Sequence, residues 1–141
     1  MNVSARTQYA CLAMLELAAR YGSPQPVPIR QIAERHNAPP NFLVQILLQL
    51  KHAGLIASVR GAAGGYALLK PPEDISLADV ISAVDGIAEE EAAANEPSPT
   101  AVVLRETWRR IDATERQMLD DISLADLLGR IDNQDKEMYY I

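Results

Sequence analysis

Hydrophobic and polar positions follow the period of an α-helix through the first part of the chain. Residues 5–20 are rich in Ala and Leu and hold neither Gly nor Pro, which predicts a first helix. A stretch with three Pro and one Gly follows at 21–28 and ends this helix, and residues 29–36 predict a short second one. From Pro40 the apolar residues fall at i, i+3, i+4 and i+7, which predicts a third helix that ends at Gly54.

A β-hairpin is predicted directly after the third helix. Residues 55–60 (LIASVR) and 66–70 (YALLK) are β-prone runs, and the Gly-rich sequence GAAGG lies between them. Three helices followed by a hairpin is the order of elements in a winged helix-turn-helix domain. We therefore expect a mostly α-helical fold with a small β-hairpin wing.

The rest of the chain also predicts helices. One covers residues 77–86, a longer one runs from about Ala101 to Asp120, and a short last helix begins at Ser123. Residues 87–100 hold four Glu and two Pro without a usable apolar stripe, so we interpret them as a loop or a fraying segment.

The sequence ISLAD occurs twice, at 75–79 and at 122–126. In each copy a Ser precedes the helix and an Asp follows three residues later, which resembles a capping pair. Five residues are too few to indicate a structural repeat, so we interpret the two copies as similar helix starts.

The composition is that of a single soluble domain, but the charge is unevenly distributed. The 141 residues are 48% hydrophobic and 23% charged, with a net charge of −6. Residues 1–70 hold seven Lys or Arg and two Glu, whereas residues 71–141 hold six Lys or Arg and 17 Asp or Glu. The first half, at +5, is therefore suited to bind a polyanion, and the second half, at −11, is suited to another task. The alternative is that the acidic residues only solvate outer helix faces.

Several classes of protein are excluded by what the sequence lacks. No run approaches the ~20 apolar residues of a membrane-spanning helix, and the N-terminus lacks the basic run of a signal peptide, so we expect a cytoplasmic protein without a membrane segment. No P-loop, G-x-S-x-G or H-E-x-x-H motif is present, so we expect no enzymatic activity.

The third helix and the hairpin tip are the candidate DNA-binding elements. With the apolar stripe inward, the exposed face of this helix carries amides and a histidine, with a lysine at its flank: Asn41, Gln45, Gln49, His52 and Lys51. Asn and Gln can form bidentate hydrogen bonds with adenine in the major groove. Arg60, beside the small residues Gly61, Gly64 and Gly65, can enter a narrow minor groove. The alternative is an ordinary amphipathic helix with a surface hairpin.

Residues 43–86, above all SVRGAAGGY and the following ISLADVISAVDG, resemble the Rrf2 family of bacterial winged-helix transcription regulators, the IscR-like and NsrR-like proteins. The opening SARTQYACLAMLELA and the later Trp-containing helix extend the resemblance over nearly the whole chain. It implies a sequence-specific DNA-binding regulator, with the winged helix-turn-helix domain at 1–72 and a linker with dimerisation helices at 73–141, in a single compact unit. It also implies a homodimer on a palindromic operator of double-stranded DNA, most simply a repressor that occludes a promoter.

The resemblance implies that the Trp-containing helix packs against its partner. The apolar residues expected at this contact are Leu104, Trp108, Ile111 and Met118. The alternative is that part of this surface packs against the first helix of the same chain.

For the DNA backbone, the expected contacts are Arg6, Arg30, Lys51 and His52.

Many members of the family carry three closely spaced Cys before the Trp-containing helix, and these hold an iron–sulfur cluster. In this chain that segment has no Cys, and Arg105 stands where some members place a ligating His. Because cluster ligation takes several thiolates, we expect neither a cluster nor another cofactor or metal site. We expect Cys11 to be a small apolar side chain of the first helix.

Val44 stands where Glu is common in the family, so the operator sequence cannot be taken from relatives.

Two other functions stay open. The run from Glu89 to Glu91 suits an adaptor that acts through a protein partner, and the space that a cluster would occupy suits a regulator that senses a small molecule.

Two local predictions concern charged side chains of the helices. Glu16 and Arg20 have the i,i+4 spacing of an ion pair, and His36 is expected to be a surface or phosphate-contacting side chain rather than a metal ligand.

Overall fold

A computed structural model of the chain describes residues 1–86 and 98–139. The first half forms three helices, α1 (Ala5–Ala19), α2 (Ile29–His36) and α3 (Pro40–His52). The turn between α2 and α3 is tight because Asn37 adopts the left-handed conformation, with φ of 51°. Gly54, with φ of 79°, follows α3 in the position that the sequence predicts. The three predicted helices are confirmed.

The hairpin consists of β1 (Ile56–Val59) and β2 (Gly65–Leu68), which pair in antiparallel orientation with Val59 opposite Gly65. Its second strand is also joined to the segment before α2. Tyr66 and Val27 exchange backbone hydrogen bonds of 2.9 and 2.8 Å. Strand β2 is therefore paired along both edges, with β1 on one side and with Val27 on the other. The predicted winged-helix fold is confirmed.

The second half holds a 3₁₀ turn (Pro72–Asp74), α4 (Leu77–Asp85), α5 (Pro99–Asp120) and α6 (Leu124–Tyr139). The prediction of a short last helix is wrong, since α6 has 16 residues. No Pro interrupts this stretch, and a helix tolerates the Gly within it at a cost of about 1 kcal/mol. Most of the predicted loop, residues 87–97, lies outside the described residues, and its last residues belong to the start of α5.

The two ISLAD copies pair with each other. In each copy the Ser accepts a hydrogen bond from the backbone of the Asp, and the Asp accepts one from the backbone of the Ser, at 3.0 to 3.1 Å. The amide of Leu77 donates to the carbonyl of Ile122, and the amide of Leu124 donates to that of Ile75, both at 2.9 Å. The motif is therefore a reciprocal bridge between the starts of α4 and α6 as well as a repeated helix cap.

The hydrophobic core centres on α1. Its buried residues include Ala10, Ala13, Met14 and Leu17, and the helix packs against α3, α4 and α6. Asp85 at the end of α4 accepts hydrogen bonds from Ser4 and Thr7 at the start of α1. No helix in the described part of the chain is both long and apolar enough to span a membrane.

Candidate nucleic-acid interface

The outward face of α3 presents the predicted base readers. Leu43, Ile46, Leu47 and Leu50 are fully buried, so the opposite face of the helix is accessible. The exposed polar side chains on it are Asn41, Gln45, Lys51 and His52. The N-terminal part of a recognition helix lies nearest the base edges, which places Asn41 and Gln45 best for reading.

Gln49 lies at the edge of this face and is half-buried. Its side-chain oxygen accepts a hydrogen bond of 3.0 Å from Nη1 of Arg6, whose guanidinium also lies 5.9 Å from the centre of the Phe42 ring. Tyr9 packs edge-to-face on the same ring, with the centroids 5.7 Å apart. Arg6 and Gln49 therefore join α1 to α3, a structural contact that the sequence did not reveal, and their DNA contacts stay predictions.

Two apolar side chains share the outward face of α3. Val44 and Leu48 are each 51% exposed and lie four residues apart, one turn above the other. The helical period contained the signal for them: once positions 43, 46, 47 and 50 face inward, positions 44 and 48 face outward.

The hairpin tip presents Arg60, which is exposed. Gly61 has φ of 112°, a conformation that L side chains rarely adopt, and a Cβ on Gly64 would lie 2.2 Å from the carbonyl oxygen of Val59. A Cβ on Gly65 would lie 2.4 Å from the carbonyl oxygen of Val27. The geometry of the wing thus requires these three glycines, and their proximity to DNA stays a prediction.

The surface around these elements is cationic. Arg30 is exposed, and Lys51 reaches across to β1, where its Nζ donates a 2.9 Å hydrogen bond to Ser58. Of the two acidic residues in the first half, only Glu34 is exposed. A polyanion would therefore meet few opposing charges on this surface.

The other acidic residue, Glu16, is buried. Its Oε1 lies 2.9 Å from Nε of Arg35 and 2.9 Å from Nε2 of His36. The predicted Glu16–Arg20 pair is wrong. His36 is not a fully exposed surface side chain, since it is 19% exposed and contacts Glu16, and its phosphate contact stays a prediction. Helix α2 packs close enough to α1 for its last residues to reach Glu16, and spacing within a single helix cannot reveal such a contact.

Helices α2 and α3 start without the serine cap that the other helices have. Pro28 and Pro39 precede them and supply no side-chain acceptor, whereas Ser4, Ser76 and Ser98 each accept a backbone hydrogen bond. At the start of α3, Pro40 has no N–H and the amides of Phe42 and Leu43 donate to the carbonyl of Pro39, so the amide of Asn41 is the group suited to contact a phosphate oxygen.

The thiol of Cys11 is half-buried and packs against the core. Burial, and secondarily the carboxylate of Asp85, raises the pKa of this thiol above its ordinary value. The thiolate, which is the reactive form, is thereby disfavoured. Within residues 1–86 and 98–139, no three His, Cys, Asp or Glu side chains lie together in a way that could hold a metal ion.

The fold and this surface define the class of protein. The chain has a helix with outward amides, an arginine at the tip of a wing that requires glycines, and cationic side chains around both. These are the parts of a winged-helix, DNA-binding transcription regulator. A family model described as Rrf2, iron-dependent transcriptional regulator, matches residues 3–130. The chain belongs to the Rrf2 family.

Individual relatives agree with this assignment. The chain is 33% identical over 142 residues to the HTH-type transcriptional regulator CymR of Bacillus subtilis, an alignment that covers 100% of both chains. It is 46% identical over 86 residues to an rrf2-like HTH-type transcriptional regulator of Rhodobacter capsulatus, which covers 60% of this chain and 57% of that protein. The solved structure of CymR, the global cysteine regulator of B. subtilis, matches with a TM-score of 0.79 and 32% identity over 92% of this chain and 98% of that one. The predicted resemblance, fold and role as a DNA-binding transcriptional regulator are confirmed.

Proposed function

We propose that this regulator is a homodimer that binds a palindromic operator and represses transcription by occluding a promoter. Helix α3 of each protomer enters the major groove, and Arg60 of each wing enters the adjacent minor groove. A palindrome then follows from the symmetry of the dimer, with half-sites about one helical turn of DNA, roughly 34 Å, or a multiple of it apart.

The exposed apolar face of α5 carries the proposal of a dimer. None of the 22 residues of this helix is buried, although it packs against α4. Leu104, Trp108, Ile111 and Met118 are all half or more exposed, and an open, mainly apolar groove of about 690 Å³ runs beside Ile111 and Met118. Large exposed apolar surfaces of this kind mark interaction sites. A second α5 fits this face, because it offers the same apolar residues in return.

The family description mentions iron, but the donor set of this chain does not fit an iron–sulfur cluster. The full sequence holds one Cys, and its side chain packs against the core from within α1. Cluster ligation takes several thiolates. We therefore include no cluster in the proposed function, and we assign no catalytic step. Protein purified without oxygen should show no absorption band at about 400–450 nm, where thiolate-to-iron charge transfer lies.

DNA binding is tested with the duplex from upstream of the gene that encodes the protein, as salt is raised. Three exposed cations per protomer (Arg30, Lys51 and Arg60) give six phosphate-proximal charges per dimer, so affinity should fall by about 1,000-fold between roughly 50 and 200 mM salt. Arg60→Ala should weaken binding by about tenfold or more. Arg130→Ala removes the same charge from the exposed surface of α6 and should leave affinity nearly unchanged. Binding that is insensitive to salt, or an Arg60→Ala variant that binds like the wild type, contradicts the proposal.

The dimer is tested by sedimentation velocity. The wild type should sediment with twice the 15.4 kDa mass of the protomer, and Ile111→Glu should shift it to the monomer because a carboxylate would be buried at the contact. Leu69→Glu, at an exposed position outside α5, is the matched control and should stay dimeric. A wild-type monomer at micromolar concentration, or a dimeric Ile111→Glu variant, argues against the contact.

A further inference from the structure

An apolar strip formed by Val44 and Leu48 lies within the outward face of the recognition helix. Both side chains are 51% exposed, and neither belongs to the hydrophobic core. Residues three and four apart are neighbours on a helix. Val44 is therefore a neighbour of Asn41, and Leu48 is a neighbour of both Gln45 and His52. The strip therefore lies beside the predicted base readers on the outward face.

The surroundings of the strip indicate what covers it. Its rim holds amides and the cation Lys51, and the exposed charges of the first half are all basic except Glu34. This pattern matches the major groove, whose floor offers hydrogen-bonding edges and whose walls are phosphates. The major groove contains one exposed apolar group, the C5-methyl of thymine.

We propose that Val44 and Leu48 pack against thymine methyl groups and so make the protein select operators with thymine beside the bases read by Asn41 and Gln45. This inference rests on the proposed function, since it requires α3 to lie in the major groove. It assigns specificity to two side chains that form no hydrogen bond with DNA. Each contact removes a methyl group from water, which is worth about 0.8 kcal/mol or about fourfold in affinity.

The test uses a pool of DNA duplexes with a randomised core. The duplex most enriched by the wild-type dimer is remade with deoxyuridine in place of each thymidine in turn, in one half-site at a time. Deoxyuridine pairs with adenine as thymidine does, but it lacks the C5-methyl group. Wild-type affinity should fall about fourfold at one or more thymines of the half-site.

Four variants complete the experiment. Val44→Ala and Leu48→Ala, alone and together, should make the affinity for thymidine and deoxyuridine duplexes converge. Ile131→Ala is the matched control: a comparable truncation on α6, at a residue that is 42% exposed and outside both proposed contacts, should keep the full difference. Circular dichroism verifies that each variant is folded, which is expected because all three positions are at the surface.

The outcomes separate the two proposals. A pool from which no duplex is enriched contradicts the proposed function itself. An enriched duplex that tolerates deoxyuridine at every position overturns only the role of Val44 and Leu48. A double variant that still binds the thymidine duplex more tightly than the deoxyuridine duplex also overturns the role of Val44 and Leu48. The strip would then serve another contact, such as a protein partner.

Discussion

Replacing Gly65 with alanine should displace the wing from the segment that precedes α2. Gly65 is the first residue of β2, and an added Cβ would lie 2.4 Å from the carbonyl oxygen of Val27, 2.5 Å from its carbonyl carbon and 2.8 Å from the nitrogen of Pro28. Real Cβ atoms essentially never approach other atoms within 3.0 Å. Because all three opposing atoms belong to the backbone, no side-chain rotation can relieve the overlap.

The cost of this displacement follows from the hydrogen bonds beside Gly65. The two strand segments can separate only if the paired bonds between Tyr66 and Val27, 2.9 and 2.8 Å long, are stretched or lost. Each such bond contributes about 0.5–1.5 kcal/mol, so Gly65→Ala should lower the free energy of unfolding by about 1–3 kcal/mol. Gly65 is not among the glycines with positive φ, so backbone strain adds nothing. DNA affinity should also fall, because β2 pairs with β1, and Arg60 directly follows β1.

Urea denaturation followed by circular dichroism measures the change, at one protomer concentration for all variants because dimerisation contributes to stability. Gly129→Ala is the matched control. This glycine lies within α6 with no atom within 4 Å of its added Cβ, so alanine should raise the free energy of unfolding by about 0.5–1 kcal/mol. If Gly65→Ala unfolds at the same urea concentration as the wild type, the tight contact between the wing and Val27 is refuted.

Further predictions concern Glu16 and Cys11 of the first helix. Glu16→Ala should lower the free energy of unfolding by about 1.5–3 kcal/mol, mainly through the loss of the His36 contact. Arg35→Ala should have little effect, because the Arg35 side chain is 67% exposed. Equal urea midpoints for Glu16→Ala and the wild type would contradict this prediction. Because its pKa is raised in the fold, Cys11 should react with iodoacetamide more slowly in folded protein than in urea-unfolded protein at the same alkaline pH. Its contribution to stability should be complete below the ordinary thiol pKa and decline as pH rises above it, since the unfolded chain then loses the proton first. Equal alkylation rates would show that the thiol is not protected.

The winged-helix fold could be predicted because its signals are local. The third helix has an unbroken apolar stripe from Leu43 to Leu50 and a glycine after its end, and the hairpin has a Gly-rich turn between two β-prone runs. Such patterns depend on residues a few positions apart, which is also the range over which helices and hairpins form. The boundaries of α1, α2 and α3 therefore agree with the sequence within about two residues.

The contacts between elements could not be predicted in the same way. Glu16 pairs with Arg35 and His36 because α1 packs beside α2, and Arg6 binds Gln49 because α1 also packs beside α3. Helical spacing places residues on the faces of one helix and carries no information about which second helix meets a face. The spacing of Glu16 therefore predicts a partner on its own helix, and it carries no information about the burial of the carboxylate.

The pairing of the two ISLAD copies explains how α5 can keep an apolar face outward. This helix has no fully buried residue, although one side of it packs against α4. Its C-terminal end leads directly into Ile122, whose carbonyl accepts from Leu77 at the start of α4, and into Leu124, which is fully buried. The reciprocal bridge thus fastens the end of α5 through backbone hydrogen bonds while Trp108, Ile111 and Met118 stay exposed. A helix that is fixed in this way loses little conformational freedom when a second copy binds, which lowers the entropic cost of forming the proposed dimer.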